Sequence, residues 1–305
     1  MFSIMQDSSG NMLMVSIIIP AYNAERFISE TINSVLNQSY TNWELIIVND
    51  GSTDNTLSLI QKYSGSDKRI SYISKNNTGV SDTRNKGIDA AKGGFVAFLD
   101  ADDVWLPDNL QKKIDCLKGD PSLGFVFSNM LQADQNLQNQ TLAPIGKDES
   151  IFEDLLLWNG EVIPGPCSNL VVRKKCLDAG IRFETSLTTI ADQNFTVQLA
   201  EKYKGKLIQE PLWIYRIIPG SMSKSLAVME KDSLATYAIY KNKNYFKSAG
   251  FRKKCFANMY LIVSGSWFKD GHNFGKGSKY LMLAFASAPI YTTGVLFSKL
   301  FKKKA

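Results

Sequence analysis

Short apolar runs alternate with longer stretches of helical period over the first hundred residues. Val15–Pro20, Trp43–Asn49, Ile70–Ser74 and Phe95–Leu99 are rich in β-branched and aromatic side chains. Runs of that length between turn signals predict strands buried on both faces. Between them, Ala24–Gln38, Asp54–Tyr63 and Gly79–Lys92 carry apolar residues at three- and four-residue steps, the spacing of a helix face. Ser52 or Thr53 is placed to cap the second of these helices. Strand alternating with helix predicts an α/β fold with a single doubly wound, mostly parallel sheet. From residue 124 to 217 strands and helices mix, with one helix over Asp192–Tyr203. The last section reads as helices over Leu226–Phe246, Arg252–Lys269 and Lys276–Leu300.

Ligands of a doubly wound sheet sit beyond the carboxyl ends of its strands, and polar clusters fall at those ends. The most informative is Phe98-Leu99-Asp100-Ala101-Asp102-Asp103. Three carboxylates within four residues repel one another unless a cation or solvent neutralises them, and at a buried strand end a hard divalent ion is the natural neutraliser. A solvated turn leading into a helix near Leu106-Pro107 is the plain alternative. In Val48-Asn49-Asp50-Gly51-Ser52-Thr53-Asp54, Asp50 ends a buried strand, and its carboxylate can accept from a base N–H or serve a strand–turn–helix junction,. In Pro20-Ala21-Tyr22-Asn23, Pro20 stiffens the turn and Tyr22 either packs on a base or joins the core. Along Asn77–Gly87, Ser81, Arg84 and Asn85 share a helix face, so Arg84 reaches an anion in the crevice or belongs to a solvated salt-bridging face,.

Composition narrows the chemistry. With 44% hydrophobic and 21% charged residues among 305, the chain is globular,. Its four cysteines form no CxxC pair, as expected of a reduced cytosolic chain,. The single histidine, His272, lies far from every cluster, which argues against a histidine base and against a zinc site built on imidazole,. Any metal must take oxygen ligands. The net charge of +6 is unevenly placed: from Lys224 onward there are 15 basic and 3 acidic residues, and before it 20 basic and 26 acidic. An acidic crevice-bearing part argues against nucleic acid, and a basic tail suggests a second surface with its own partner.

In order and on successive strand ends, these clusters resemble glycosyltransferase family 2, which has the GT-A fold. The resemblance is carried by Val15-Ser-Ile-Ile-Ile-Pro-Ala-Tyr-Asn23, Glu44-Leu-Ile-Ile-Val-Asn-Asp-Gly-Ser-Thr-Asp-Asn-Thr56, Asn77–Gly87 and Phe98–Trp105. It is specific to about Asp120 and looser to about Ser221. It implies that Pro20, Tyr22, Asn23 and Asp50 hold the nucleoside of a nucleotide-sugar, with Asp50 on the base. Asp100-Ala101-Asp102 matches the family's DXD motif. Asp102 would coordinate Mn2+ or Mg2+ bridging the donor diphosphate, and Asp100 the ribose or a metal-bound water. Arg84 matches an arginine beside the donor phosphates. In Thr188-Thr-Ile-Ala-Asp-Gln-Asn-Phe195, Asp192 matches the general base, although Ala191 stands where an acidic residue is common, and a helix N-cap remains compatible with Asp192,. Trp213–Arg216 and Ser221 resemble a segment near the closing donor loop.

The organisation expected is a flexible leader over 1–13, a catalytic domain over 14–223 divided at 123/124 into nucleotide-sugar and acceptor halves, and a basic helical region over 224–305. The activity expected is inverting transfer of a sugar, from UDP by preference, to a glycan acceptor in cell-surface polysaccharide synthesis. A non-catalytic nucleotide-sugar or glycan-binding module and a nucleotidyltransferase remain as alternatives. The absence of GxGxxG after the first strand sets aside a dinucleotide-binding oxidoreductase,. Tyr280–Ser298 is uncharged and approaches the length of a membrane span, but contains Pro289 and Gly294 and is followed by Lys299 and Lys302–Lys304,. An interfacial helix or helix pair on an anionic leaflet is favoured over packing on the domain or spanning. This places the chain in the cytoplasm, peripheral at the inner face of the cell membrane, with a lipid-linked acceptor.

Overall fold

The first strand sets the plan. In the computed structural model, which describes residues 13–143, 146–158, 162–218 and 225–302, every residue of β1 (Val15–Ala21) is buried. Apolar side chains on both faces commit a strand to the middle of a covered sheet. β1 lies between β2 (Trp43–Asp50) and β4 (Phe95–Phe98), with β3 (Ile70–Lys75) outside β2, all parallel. The intervening helices are α1 (Ile28–Leu36), α2 (Thr56–Ser66) and α3 (Val80–Ala90). Gly87 lets α3 close on β1: a Cβ there would come within 2.4 Å of Ile18.

Beyond β4 come β5 (Val104–Trp105), α4 (Asn109–Gly119), β6 (Leu123–Ala133), β7 (Thr141–Leu142), α5 (Ile151–Leu157), α6 (Pro166–Asn169), β8 (Val171–Arg173), α7 (Lys174–Asp178), α8 (Ala191–Lys202) and β9 (Lys204–Arg216). The strand order is β3-β2-β1-β4-β8-β6-β9-β5, with β7 beside β6. β8 runs antiparallel to both β4 and β6, and β5 antiparallel to β9. The parallel half is as the pattern predicts except that β3, expected to be buried on both faces, is an edge strand with only Ile70 buried, and the second half makes the sheet mixed.

Two local expectations are corrected. α2 begins at Thr56, and its amide is capped by Asp54 Oδ1 at 3.0 Å, not by Ser52 or Thr53. Ser52 Oγ instead accepts the Asn23 N–H at 3.0 Å, joining the loops after β1 and β2.

A second compact unit comprises described residues of 152–160, 187–190 and 220–305. Its long elements are α9 (Leu226–Asn242), α10 (Ala249–Lys269), α11 (Phe274–Ser287) and α12 (Pro289–Lys302). Aromatic rings fill it: Tyr237 meets Trp158, Tyr240 and Phe256 at centroid distances of 5.6, 5.6 and 5.3 Å. Of the helix or helix pair expected over Tyr280–Ser298, the structure has the pair. Ala288 takes φ −153°, ψ 82°, and α12 begins at Pro289, because proline lacks the amide a continuing helix needs and pushes its predecessor out of the helical region. No helix among the described residues is long and apolar enough to cross a membrane. The leader (1–12), Ser221 and Lys303–Lys304 lie outside the described residues.

Candidate functional site

Asp50 closes β2 and is buried to 3% exposure. Its Oδ1 accepts the Thr78 N–H at 2.9 Å and Lys75 Nζ at 2.5 Å, and its Oδ2 accepts the Gly79 N–H at 3.0 Å. The carboxylate therefore fastens the loop between β3 and α3, a task the sequence reading did not assign to it. Gly51 is required beside it: at φ +71° it occupies the left-handed region, and a Cβ would lie 2.8 Å from the Asn77 amide,. Lys75 is also paired with Asp82 at 3.1 Å and bonds Thr78.

Of the residues after β1, Pro20 is a buried strand residue, whereas Tyr22 is 52% exposed. The core alternative for Tyr22 is thereby removed. Asn23 adopts φ 47°, a conformation asparagine tolerates better than most side chains,. Its Oδ1 accepts the Thr53 N–H at 2.8 Å.

Arg84 draws the remaining residues together. On α3 it is 3% exposed; its Nη1 lies 2.5 Å from Asp192 Oδ1 and its Nη2 2.6 Å from Asp100 Oδ1. The guanidinium stands 5.2 Å over the Phe183 ring, which stacks on Phe195 at 4.0 Å. Burial lowers the Arg84 pKa, but Asp100 and Asp192 more than offset this and hold it well above the ordinary value. The anion anticipated for Arg84 is thus a pair of carboxylates, one of them 108 residues away. Asn85, on the same helix face, exchanges bonds of 2.9 Å with the backbone N–H and carbonyl of Phe183 and so fixes the ring under Arg84.

Asp192 lies in the first turn of α8, which starts at Ala191, so it is not the N-cap. Burial pushes its carboxyl up, Arg84 opposes the shift, and the Asp100 charge adds to it. The neighbouring Cys167 thiol opposes the upward shift as well. Burial and the neighbouring Asp192 and Asp100 charges keep that thiol protonated against the pull of Arg84. Ala191 is fully buried, so Arg84 and Cys167 are the partners that Asp192 has in place of an acidic neighbour. Cys167 and Phe183 were missed because neither carries a local motif, and only the fold brings them within reach.

The acidic loop separates into three roles. Asp100 binds Arg84. Asp103 is buried, accepting from Ser168 Oγ at 2.5 Å and from the Arg216 N–H at 3.0 Å; burial and the Asp102 and Asp100 charges push its carboxyl well up. Ala101 is 8% exposed and contributes backbone only. Asp102 receives no side-chain donor among the described residues, and burial together with the Asp100 charge raises its carboxyl to about 6.

A carboxylate desolvated beside another, with the Arg216 and Arg84 charges only partly offsetting that cost, fits a hard divalent ion. Among the described residues no cluster of three or more His, Cys, Asp or Glu is arranged as a metal cage.

Comparison with known proteins gives the family and the fold. Residues 16–175 match the family described as Glycosyl transferase family 2. The Bacillus subtilis protein named as the teichuronic acid biosynthesis glycosyltransferase TuaG is 43% identical over 241 residues, covering 77% of this chain and 91% of that protein. The Escherichia coli UDP-Glc:alpha-D-GlcNAc-diphosphoundecaprenol beta-1,3-glucosyltransferase WfgD is 40% identical over 117 residues, covering 38% of this chain and 45% of its own length. The solved mannosyltransferase PcManGT from Pyrobaculum calidifontis, in complex with GDP-Man and Mn2+, shares the fold with a TM-score of 0.62 at 17% identity, over 93% of this chain and 80% of that one. With its GT-A sheet and the matched stretch spanning the strand-end clusters, the chain belongs to glycosyl transferase family 2, a family of glycosyltransferases.

Proposed function

We propose that this chain transfers a sugar from a UDP-sugar to a lipid-linked glycan, with inversion at the anomeric carbon, during cell-surface polysaccharide synthesis. The observation that carries this reading is the Arg84 bridge, which puts Asp192 and Asp100 on one guanidinium at 2.5 and 2.6 Å. A proton acceptor and the acidic loop thereby share one crevice. Two relatives support the substrate class: one is named for teichuronic acid biosynthesis, the other for a UDP-Glc donor and a diphosphoundecaprenol acceptor.

Pro20, Tyr22, Asn23 and Asp50 form the nucleoside end of the donor site. Exposed Tyr22 is free to lie against a base, and Asp50 stiffens the loop across from it. Asp102, with Asp100, would hold Mn2+ or Mg2+, and the cation would supply positive charge to the departing diphosphate. Arg84 adds a fixed positive charge in a site of low polarity. It also holds Oδ1 of Asp192 and so orients that carboxylate toward the acceptor. Asp192 takes the proton of the acceptor hydroxyl as its oxygen attacks from the face opposite the leaving group. Burial suits the task, since a carboxylate with a raised pKa is a stronger base. A single base and a single displacement invert the configuration.

Residues 124–223 are read as the acceptor half and 224–305 as the region that meets an anionic membrane. Met282, Phe285, Ile290 and Phe297 are exposed on α11 and α12, within the uncharged stretch flanked by Lys276, Lys279 and Lys299. Apolar side chains bordered by lysines suit an interfacial position on anionic lipid.

The test is donor turnover across a panel of nucleotide-sugars with Mn2+ or Mg2+, comparing the wild-type chain with Asp102→Ala. Metal-dependent release of a nucleoside diphosphate from one donor, lost in the variant, is expected. Release of pyrophosphate from a nucleoside triphosphate supplied together with a sugar 1-phosphate would point to a nucleotidyltransferase instead. Donor binding without turnover, even when a lipid-linked glycan is supplied, would point to a binding module.

A further inference from the structure

Helix α1 carries a feature that its apolar face does not explain. Thr31, Ser34 and, just past the helix end, Gln38 fall at helical spacing, and all three are buried. Polar side chains are costly in a core unless they are bonded, and each of these bonds the chain between 101 and 110. Thr31 Oγ1 lies 2.9 Å from the carbonyl oxygens of both Ala101 and Asp103, sharing its one proton between them. Ser34 Oγ accepts the Trp105 N–H at 3.2 Å. Gln38 donates to the Leu106 carbonyl at 2.8 Å and accepts the Leu110 N–H at 3.0 Å.

β9 holds the same loop. Arg216 Nε donates to the Asp102 carbonyl at 2.7 Å, while its backbone N–H binds Asp103. Its Nη1 reaches the Gln135 carbonyl and its Nη2 reaches Glu30 of α1, both at 2.6 Å. Ser168 Oγ accepts the Asp100 N–H at 3.0 Å. The carbonyls of 101, 102 and 103 are thus all occupied by side chains from outside the loop.

We infer that the buried polar stripe of α1 and the Arg216 fan form a jig for the acidic loop. Thr31 and Arg216 are positioning residues that fix the backbone on either side of the Asp102 carboxylate, so the loop is ordered before a divalent cation arrives. This inference rests on the reading of Asp102 as a metal ligand. Outer-shell partners of metal ligands are typically worth about 10–100-fold in affinity, and the jig places Thr31 and Arg216 in that class.

The experiment titrates Mn2+ into the full chain in the presence of UDP, following free Mn2+ by electron paramagnetic resonance. It compares wild type, Asp102→Ala, Thr31→Val, Thr31→Ser and Arg216→Lys, with the melting temperature of each. Wild type should bind and Asp102→Ala should not. Thr31→Val, isosteric but without the hydroxyl, should bind about 10-fold more weakly or worse, and Thr31→Ser should restore binding. In turnover, the Mn2+ concentration for half-maximal rate should rise in Thr31→Val while kcat at saturating Mn2+ stays near wild type. If Thr31→Val does not fold, Arg216→Lys, which keeps the charge and loses the fan, is held to the same weakening. Wild-type affinity in a folded Thr31→Val or Arg216→Lys, with binding lost in Asp102→Ala, overturns the jig and leaves the metal site standing. Failure of wild type to bind Mn2+ overturns the metal reading and the jig with it.

Discussion

In the unit that carries the sheet, ionisable groups lie inside: Arg84 of α3, Asp103 and Lys113 of α4 are buried to 3% exposure or less, and burial pushes Asp103 and Lys113 toward their neutral forms. In the helical unit, apolar groups stand outside: Ile290 is 90% exposed, Phe274 74% and Met282 67%. Each arrangement is unfavourable by itself, for opposite reasons. Buried charge forgoes hydration and is tolerated only where partners replace the water. Arg84 has its two carboxylates, and Lys113 donates to the Asn169 carbonyl at 2.5 Å. Exposed apolar area keeps water ordered against it and is retained where something covers it. In the first region the Asp102 carboxylate lacks a side-chain donor and the buried Arg84 Nε lacks a partner among the described residues, and the second is incomplete in its apolar packing. Each shortfall marks where a ligand is expected: a cation with its phosphates in one case, a lipid surface in the other.

The sharpest way to break this contrast is at Asp192. Asp192→Asn keeps the shape and removes the proposed base, so kcat should fall by about 10²–10⁴-fold with donor affinity, measured by calorimetry, little changed. Equal loss of donor affinity would mean that Asp192 shapes the donor site instead. Next in size is Arg84→Ala, which leaves Asp100 and Asp192 facing each other without their shared cation. A loss of about 3–5 kcal/mol is expected from breaking a buried pair, read as a lower midpoint in urea unfolding. A variant as stable as wild type would show that the strand-end charges do not depend on one another.

For the helical unit, Ile290→Asp should cut partitioning onto vesicles containing anionic lipid by about tenfold, the equivalent of about 1.4 kcal/mol from one buried aliphatic side chain. Sedimentation with the vesicles measures this, and donor turnover on a water-soluble acceptor should be unaffected. Raising the salt should weaken the same partitioning, because the flanking lysines act through a screened field. The smallest effect belongs to Glu30→Gln. Its partner Arg216 is buried, but the Glu30 side chain is 57% exposed, so stability should fall by only ~0–1 kcal/mol in the same urea experiment.

Much of the sheet was legible from local pattern. β1, β2 and β4 were readable because each is an apolar run between turn residues, and burial on both faces leaves such a run few other places to lie; β3 is an edge strand in which only Ile70 is buried. The acidic loop, Asp50 and Arg84 were legible as chemistry because they stand at successive strand ends. The capping of α2 was not, because Ser52, Thr53 and Asp54 are all competent caps, and the choice depends on Asn23 taking Ser52 and Thr53 for its own loop. The antiparallel β8 was equally unreadable. Val171–Arg173 is three residues long, too short for any period to appear, and it is a strand because β4 and β6 present edges to it.

By itself the sequence determined the things that depend on neighbours a few residues apart: the strand and helix periods, the break that Pro289 imposes, the acidic character of one part and the basic character of the other. Tertiary structure alone decided what each acid does. Asp100, Asp102 and Asp103 are equivalent in composition, yet one binds Arg84, one is buried against Ser168, and one is left without a side-chain donor. The reason is that a carboxylate's role depends on solvation and on the charges within a few ångströms. Here the charges and polar donors come from α3, α6, α8 and β9, segments that only the folded sheet brings to one place.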